Sequence, residues 1–236
     1  SLSGYNSVTN TNINFVGQQI SSQSVNTYNN ITHNVEVIIA GATTQASSIS
    51  SKKNNIFNNG SGFNTNQNIS GTASGLQGND SYFGANYYGS SKKSIIDKNI
   101  IDYIDNSNLS LAFYDNYLNQ PHEEAHGIVW KVLVNGKDAQ DEYDQMDPIG
   151  VGNHEFKVYF NRQMDTLVKP TVGYGVREPY TQKTISETGA WSTDGKIYTV
   201  THDLNIGAAD GINRIRVSGA RDLDLFEIPV EASRFN

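Results

Sequence analysis

Cysteine is absent from the chain, which excludes disulfides, thiolate nucleophiles and cysteine-ligated metal centres. The absence is compatible with an oxidising exterior. No apolar run approaches the roughly 18 residues that a membrane-spanning helix needs. Basic clusters are missing too. The Lys52-Lys53 and Lys92-Lys93 pairs are the densest, and the formal net charge is -7, so a nucleic-acid partner is not expected. Hydrophobic residues make up 36%, below the usual globular share, and Asn, Ser, Thr and Gly take their place. No charged-then-apolar leader opens the chain at Ser1, and the pattern begins mid-repeat; the expectation is a processed or excised piece of a larger protein.

What charge there is divides unevenly. Residues 1–121 hold five Lys/Arg and six Asp/Glu, and residues 122–236 hold twelve and eighteen. The shift falls in the polar, proline-containing stretch Gln120–His126. The chain therefore reads as two domains, 1–121 and 122–236.

Residues 1–80 look like low-complexity sequence, yet short β-prone runs recur in them: Ile13-Asn-Phe-Val16, Val35-Glu-Val-Ile-Ile39 and Ile56-Phe57. Each follows an asparagine (Asn12, Asn34, Asn55) and precedes a glycine (Gly17, Gly41, Gly60). A period in the low twenties suits a coiled β-solenoid, in which each rung is two or three short strands joined by tight turns. Asn and Gly tolerate the left-handed backbone of such turns. A single rung buries little, so several must stack.

The stretch Gly84–Ser90 and the residues after it organise this half. Asn86-Tyr-Tyr-Gly89, Ile96, Ile101, Asp102, Asp105, Leu109, Tyr114, Leu118 and Pro121 together resemble the closing segment of right-handed parallel β-helix repeat proteins, the pectin-lyase-like surface proteins of bacteria. Tyr88-Gly89 stands where that family usually has Trp-Gly. Apolar residues at Ile95, Ile96, Ile100, Ile101 and Ile104 are close to helical spacing. A short amphipathic helix over Ser94–Asn106 is expected to cover the unpaired edge of the last rung, with Asp97, Asp102 and Asp105 on its solvated face. A final strand is expected over Leu109–Tyr114.

The second half reads as short alternating strands. They are Ile128–Val134 ahead of the hairpin signal Asn135-Gly136, Glu155–Phe160, Thr171–Val176, Ile197–His202, Gly211–Gly219 and Phe226–Val230. Strands at this spacing predict a β-sandwich. Phe156-Lys-Val-Tyr-Phe-Asn-Arg-Gln-Met-Asp165, with the later Trp191-Ser-Thr-Asp-Gly195 and Tyr198, resembles the Ig-like domains of bacterial surface-layer and adhesin proteins. That resemblance implies structural roles: Met164 in the core, Trp191 largely buried, Asp165 bonded to backbone.

Catalytic chemistry finds little support. A polysaccharide lyase on a β-helix needs a basic residue beside calcium-binding carboxylates, and the first half offers only Lys52, Lys53, Lys92, Lys93 and Lys98. A hydrolase needs two facing carboxylates, but residues 1–96 contain only Glu36 and Asp80. His122-Glu-Glu-Ala-His126 matches a zinc-site spacing literally. That reading needs a helix, and this is a Pro-led linker. The acidic loop with Asp141, Asp144 and Asp147 is a candidate for calcium, although it lacks the glycine and terminal Glu of a calcium loop; a solvated loop is the plainer account. No other cofactor is called for. The leading binding patch is aromatic: Tyr174, Arg177, Glu178 and Tyr180 on a strand end and loop, where rings can stack on sugars and charged groups bond hydroxyls or uronates.

The sequence thus predicts an all-β protein, a few parallel β-helix rungs with a helical cap followed by an Ig-like β-sandwich. It is expected to be a non-enzymatic bacterial module, secreted or on the cell surface. Its role would be structural or adhesive, with polysaccharide, surface glycan or other surface proteins as partners and no membrane insertion. The alternative is a carbohydrate-binding module of a polysaccharide-degrading enzyme.

Overall fold

Two units divide the chain, Ser1–Ala125 and His126–Asn236; the break expected from composition lies between 121 and 122. The structure, a computed structural model, describes the strand backbones and Asn55 within residues 1–84, and residues 85–107, 111–140, 147–205, 207 and 210–236 in full. The described residues are mostly β, with one short helix, as expected of an all-β chain. No helix among them is long and apolar enough to cross a membrane.

The first unit runs β1 (Ser7–Val8), β2 (Asn12–Val16), β3 (Ser24–Asn26), β4 (Asn30–Thr32), β5 (Glu36–Gly41), β6 (Ser50–Lys52), β7 (Asn55–Phe57), β8 (Phe63–Gln67), β9 (Ser81–Tyr82), α1 (Lys93–Asn99), β10 (Ile100–Ile101) and β11 (Ala112–Phe113). Among the described residues of this unit the pairing is parallel, in three sheets ordered β1-β4-β7, β10-β8-β5-β2 and β11-β9-β6-β3. Successive strands step from one sheet to the next in rotation. Asn12 lies beside Glu36, Val37 beside Phe63, and Phe63 beside Ile100. One expectation is corrected here. The run Ile56-Phe57 does not continue the series begun by Ile13 and Val37; it belongs to β7 and pairs with Ile31-Thr32 of β4. Each coil carries a β-prone run in more than one of its strands, and the most apolar run is not always on the same sheet.

The organising stretch is buried as a block. Asn86 is 0%, Tyr87 1% and Tyr88 3% exposed, and Asn86 Nδ2 donates to the Tyr88 hydroxyl at 3.3 Å. Tyr87 forms a parallel bridge with Asn55, whose buried Oδ1 accepts the backbone N–H of His122 at 3.1 Å. The helix is shorter than the spacing predicts. It stops at Asn99, and the β-branched pair Ile100-Ile101 joins the ladder on β8 instead, so the parallel edge outcompetes another helical turn. Ile95 and Ile96 are buried; Ile104 is 79% exposed. Asp102 is likewise not on a solvated face. It is 6% exposed, and its carboxylate accepts the N–H of Ile104 at 2.9 Å and of Ala112 at 3.0 Å, holding the start of β11. Asp102→Ala would strand both donors. It is expected to cost about 1–3 kcal/mol and to raise hydrogen exchange at the Ala112 amide above wild type, whereas Asp97→Ala, on the exposed face, leaves that amide protected.

The second unit is antiparallel. Its strands are β12 (Val129–Val134), β13 (Lys137–Asp138), β14 (Gly152–Phe160), β15 (Thr171–Gly175), β16 (Lys183–Thr184), β17 (Ala190–Trp191), β18 (Ile197–Leu204) and β19 (Arg214–Ser218). They form a five-stranded sheet, β13-β12-β14-β18-β17, and a three-stranded sheet, β16-β15-β19. Asn135 and Gly136, both at positive φ, close the β12–β13 hairpin. One apolar cluster draws on both sheets, including Val132, Phe156, Val158, Met164 and Val200 with Val172, Ile215 and Val217. Met164 is 0% exposed, and Trp191 packs half-buried between Phe160 and Tyr198, each ring centroid 5.3 Å from its own. The last expected strand, Phe226–Val230, is replaced by isolated bridges of Glu227 to Arg221 and Glu231 to Val217, because Pro229 has no N–H to continue a ladder.

One irregularity shapes the outer face of the larger sheet. Val129 pairs with Phe160 and Lys131 with Tyr159, so Trp130 is an extra residue in a β-bulge. The bulge turns both Trp130 and Lys131 away from the core; each is half-buried, while Val129, Val132 and Val134 are buried.

Candidate functional site

The structure separates the expected aromatic patch. Strand β15 alternates, so Val172 and Tyr174 share its core face, and Tyr174 is 7% exposed within the apolar cluster. Its ring is therefore unavailable to a sugar, which corrects its place in the patch. Arg177 and Glu178 are exposed and Tyr180 is half-buried, all on a turn closed by the Tyr180 N–H on the Arg177 carbonyl at 2.9 Å. The Glu178-Pro179 peptide is cis and Tyr180 sits at φ 60. This segment folds back over β15. A Cβ on Gly173 would lie 2.9 Å from the Lys183 carbonyl oxygen, and one on Gly175 would collide with Gln182. The backbone approach at Gly173 leaves no room there for a side chain.

Tyr174 serves a different network. Its hydroxyl lies 3.1 Å from His202 Nε2 on the other sheet, and His202 Nδ1 lies 2.8 Å from Glu187 Oε2. Burial, and secondarily Glu187, pushes the Tyr174 hydroxyl up, while the His202 hydrogen bond holds Glu187 below its ordinary 4.5. Hydroxyl, imidazole and carboxylate stand in the order of a proton relay, with Tyr174 packed in the apolar cluster. The network ties the two sheets together.

The linker histidines do not form the zinc motif, because residues 121–127 are not helical. The His122 backbone turns to Asn55, while His126 stacks on Phe226 (centroids 4.1 Å apart, interplanar angle 12°) and reaches Asp222. His126, Asp222 and Asp224 come within metal-binding distance of one another, a cluster that only the fold could reveal. The Asp222 carboxylate is saturated, however. Oδ1 accepts the N–H groups of Asp224 and Phe226 at 2.9 and 3.0 Å; Oδ2 faces the Gly127 N–H at 3.0 Å, His126 Nδ1 at 3.2 Å and Arg162 Nη1 at 3.5 Å. Arg162 also holds Asp224 at 3.0 Å, placing a fixed cation where a metal would sit. Burial alone would raise the Asp222 carboxyl. The Gly127 and Phe226 amides, His126 and Arg162 outweigh it and hold the group below its ordinary 3.8.

Of the acidic loop, Asp141 and Asp144 lie outside the described residues. Asp147 is exposed and pairs with Lys137, which lowers its carboxyl. Asp165, expected on backbone, accepts the Leu167 N–H at 3.0 Å and also binds the Arg221 guanidinium at 2.8 Å, which lowers it too. Asp165, Glu187 and Asp222 all have depressed pKa values. Their stabilisation is complete above the unfolded values near 4 and is lost as pH falls through the folded ones. Thermal melts of the second unit are expected to be flat from pH 7 to 5 and to drop steeply below pH ~4; a Tm that rises on acidification would contradict these assignments.

The residues that sequence reasoning missed lie on the outer face of the larger sheet. Trp130 and Tyr159 meet edge to face with ring centroids 6.1 Å apart. Lys131 Nζ lies 6.0 Å from the Trp130 ring and 5.9 Å from the Tyr159 ring. Lys157 and Glu155, paired at 2.9 Å, flank them on β14. Strict alternation puts Trp130 with Val132 and Val134 inside, so only the bulge reveals it. Comparison of the chain with protein-family models, with curated proteins and with solved structures finds no match.

Proposed function

We propose that this chain is a non-enzymatic bacterial module of the cell surface or extracellular space: a right-handed parallel β-helix segment followed by an Ig-like β-sandwich, serving a structural or adhesive role and binding glycan. The observation that carries the reading is the rotation of β1–β11 through three parallel ladders. A coil of this kind makes a stiff spacer, because each rung contacts only its neighbours and lengthens the rod without enlarging a core. The second unit then supplies the surface that is displayed. The titratable clusters on this unit support a binding role over a catalytic one. Asp222 is saturated by donors, and Tyr174 of the Tyr174–His202–Glu187 network packs in the apolar cluster.

The test is incubation of the full chain with a panel of plant and microbial polysaccharides, reading both the bound fraction and the length of the polysaccharide afterwards. Retention on at least one glycan with chain length unchanged is expected. Shortened or unsaturated products would make the protein an enzyme. Retention on none would remove glycan from the proposal.

A further inference from the structure

We propose that the outer face of the five-stranded sheet, centred on Trp130, Tyr159 and Lys131, is a binding platform for an anionic polysaccharide, one carrying carboxylates such as uronic acids. This rests on the glycan reading above and names the face and the ligand class.

Three observations carry it. First, the bulge at Trp130 is a local departure from the ladder whose effect is to move a large ring out of the core line and set it beside Tyr159. A half-buried Trp–Tyr pair on a rigid antiparallel sheet presents flat apolar surface with a polar rim, the chemistry that stacks against the C–H faces of pyranose rings. Second, Lys131 sits across from Tyr159 in the ladder and within about 6 Å of both rings, yet pairs with no carboxylate among the described residues. Five of the eleven other Lys and Arg side chains of this unit are paired: Lys137 with Asp147, Lys157 with Glu155, Arg162 with Asp224, Arg221 with Asp165 and Arg234 with Glu231. The Lys131 ammonium beside the aromatic pair offers an incoming carboxylate a charge-assisted partner. Third, the positions next along the same face, Leu133 opposite Lys157 and Thr199 opposite Lys157 on the far side, are half-buried. The platform therefore continues across three strands instead of ending at one residue. A sugar chain lying across the strands would meet rings, the Lys131 ammonium and the Lys157–Glu155 pair in turn.

The experiment titrates the full chain with an oligogalacturonate and, separately, a cello-oligosaccharide of equal length, using wild type, Trp130→Ala, Tyr159→Ala, Lys131→Gln and, as a control on the turn that follows β15, Arg177→Ala. Melting curves accompany each variant. The proposal expects wild type to prefer the acidic oligomer. Trp130→Ala and Tyr159→Ala should each weaken binding about tenfold, and Arg177→Ala should leave it unchanged. Lys131→Gln perturbs the fold least, and it is expected to erase the preference for the acidic oligomer; the wild-type preference should also shrink at high salt. Binding by wild type that survives all three face variants would overturn the platform while leaving the glycan reading intact. Equal binding of both oligomers, untouched by Lys131→Gln, would overturn the anionic class. Concentration-dependent self-association lost in Trp130→Ala, with no glycan bound, would make the face a contact between copies and overturn the proposal. Wild-type binding to neither oligomer nor to any member of the polysaccharide panel would overturn both.

Discussion

Asp222→Ala is expected to be the most damaging single substitution in the second unit, costing about 3–5 kcal/mol and lowering its Tm by on the order of 10–20 °C. The side chain is fully buried and is the common acceptor for the Gly127, Asp224 and Phe226 amides. Removing it leaves those donors without an acceptor and Arg162 with only the exposed Asp224 carboxylate. Repacking would be costly as well. A Cβ at Gly127 would already sit 2.9 Å from Met164 Cε and 3.3 Å from Asp222 Cβ, so the site is tightly filled. Asp222→Asn keeps the shape and one good acceptor, but it turns an amide N–H toward existing donors, and an intermediate loss is expected. Urea unfolding at pH 7 measures both. A loss below about 1 kcal/mol for Asp222→Ala would mean that water or Asp224 replaces the carboxylate and that the network is not structural.

Arg234→Met is expected to be nearly as severe, again about 3–5 kcal/mol, because it strands a buried charge. The Glu231 and Arg234 side chains are 2% and 8% exposed. Glu231 Oε2 accepts Arg234 Nε at 3.0 Å and Nη2 at 2.9 Å, while Oε1 accepts the Ser233 and Arg234 amides at 3.0 and 3.1 Å. Arg234 Nη2 also donates to the Val129 carbonyl at 2.6 Å, bonding the C-terminal segment to β12. The double variant Glu231→Met/Arg234→Met removes both charges and is expected to cost less than Arg234→Met alone, a non-additivity that a double-mutant cycle reads directly. Additive losses would show that the two side chains act independently, contrary to the geometry.

Where period-2 patterning was unbroken, the sequence was a sound guide to the second unit. Phe156, Val158 and Phe160 alternate into the core as written, and Asn135-Gly136 closes its hairpin. The same rule, applied to Thr171–Gly175, already puts Tyr174 beside Val172 on the buried face. The patch built on Tyr174 set its chemistry above its position. Trp130 failed in the opposite sense. Its outward placement depends on one inserted residue in the register, and no local feature of Val-Trp-Lys-Val announces a bulge. Asp222 was invisible for a third reason: Arg-Asp-Leu-Asp-Leu reads as a polar loop, and the donors that saturate the carboxylate include the distant Gly127. In the first unit the isoleucines after Ser94 had helical spacing, but Ile100-Ile101 met an open parallel edge, and tertiary pairing overrode local preference.

Engineered cysteines report directly on the parallel register in which every third strand of β1–β9 stacks, in a chain that has no cysteine of its own. Ser24 and Ser50 are Cα partners on neighbouring strands, while Ser51 is one residue out of register and faces Val25. Neighbouring strands stand about 4.8 Å apart, inside the span a disulfide bridges. On mild oxidation, Ser24→Cys/Ser50→Cys is expected to form an intramolecular cross-link in near-quantitative yield, and Ser24→Cys/Ser51→Cys only slowly, because a one-residue slip points the thiols to opposite faces. Equal cross-linking of both pairs, or none of the first, would contradict the stacked coil and, with it, the rigid-spacer role on which the proposed function rests.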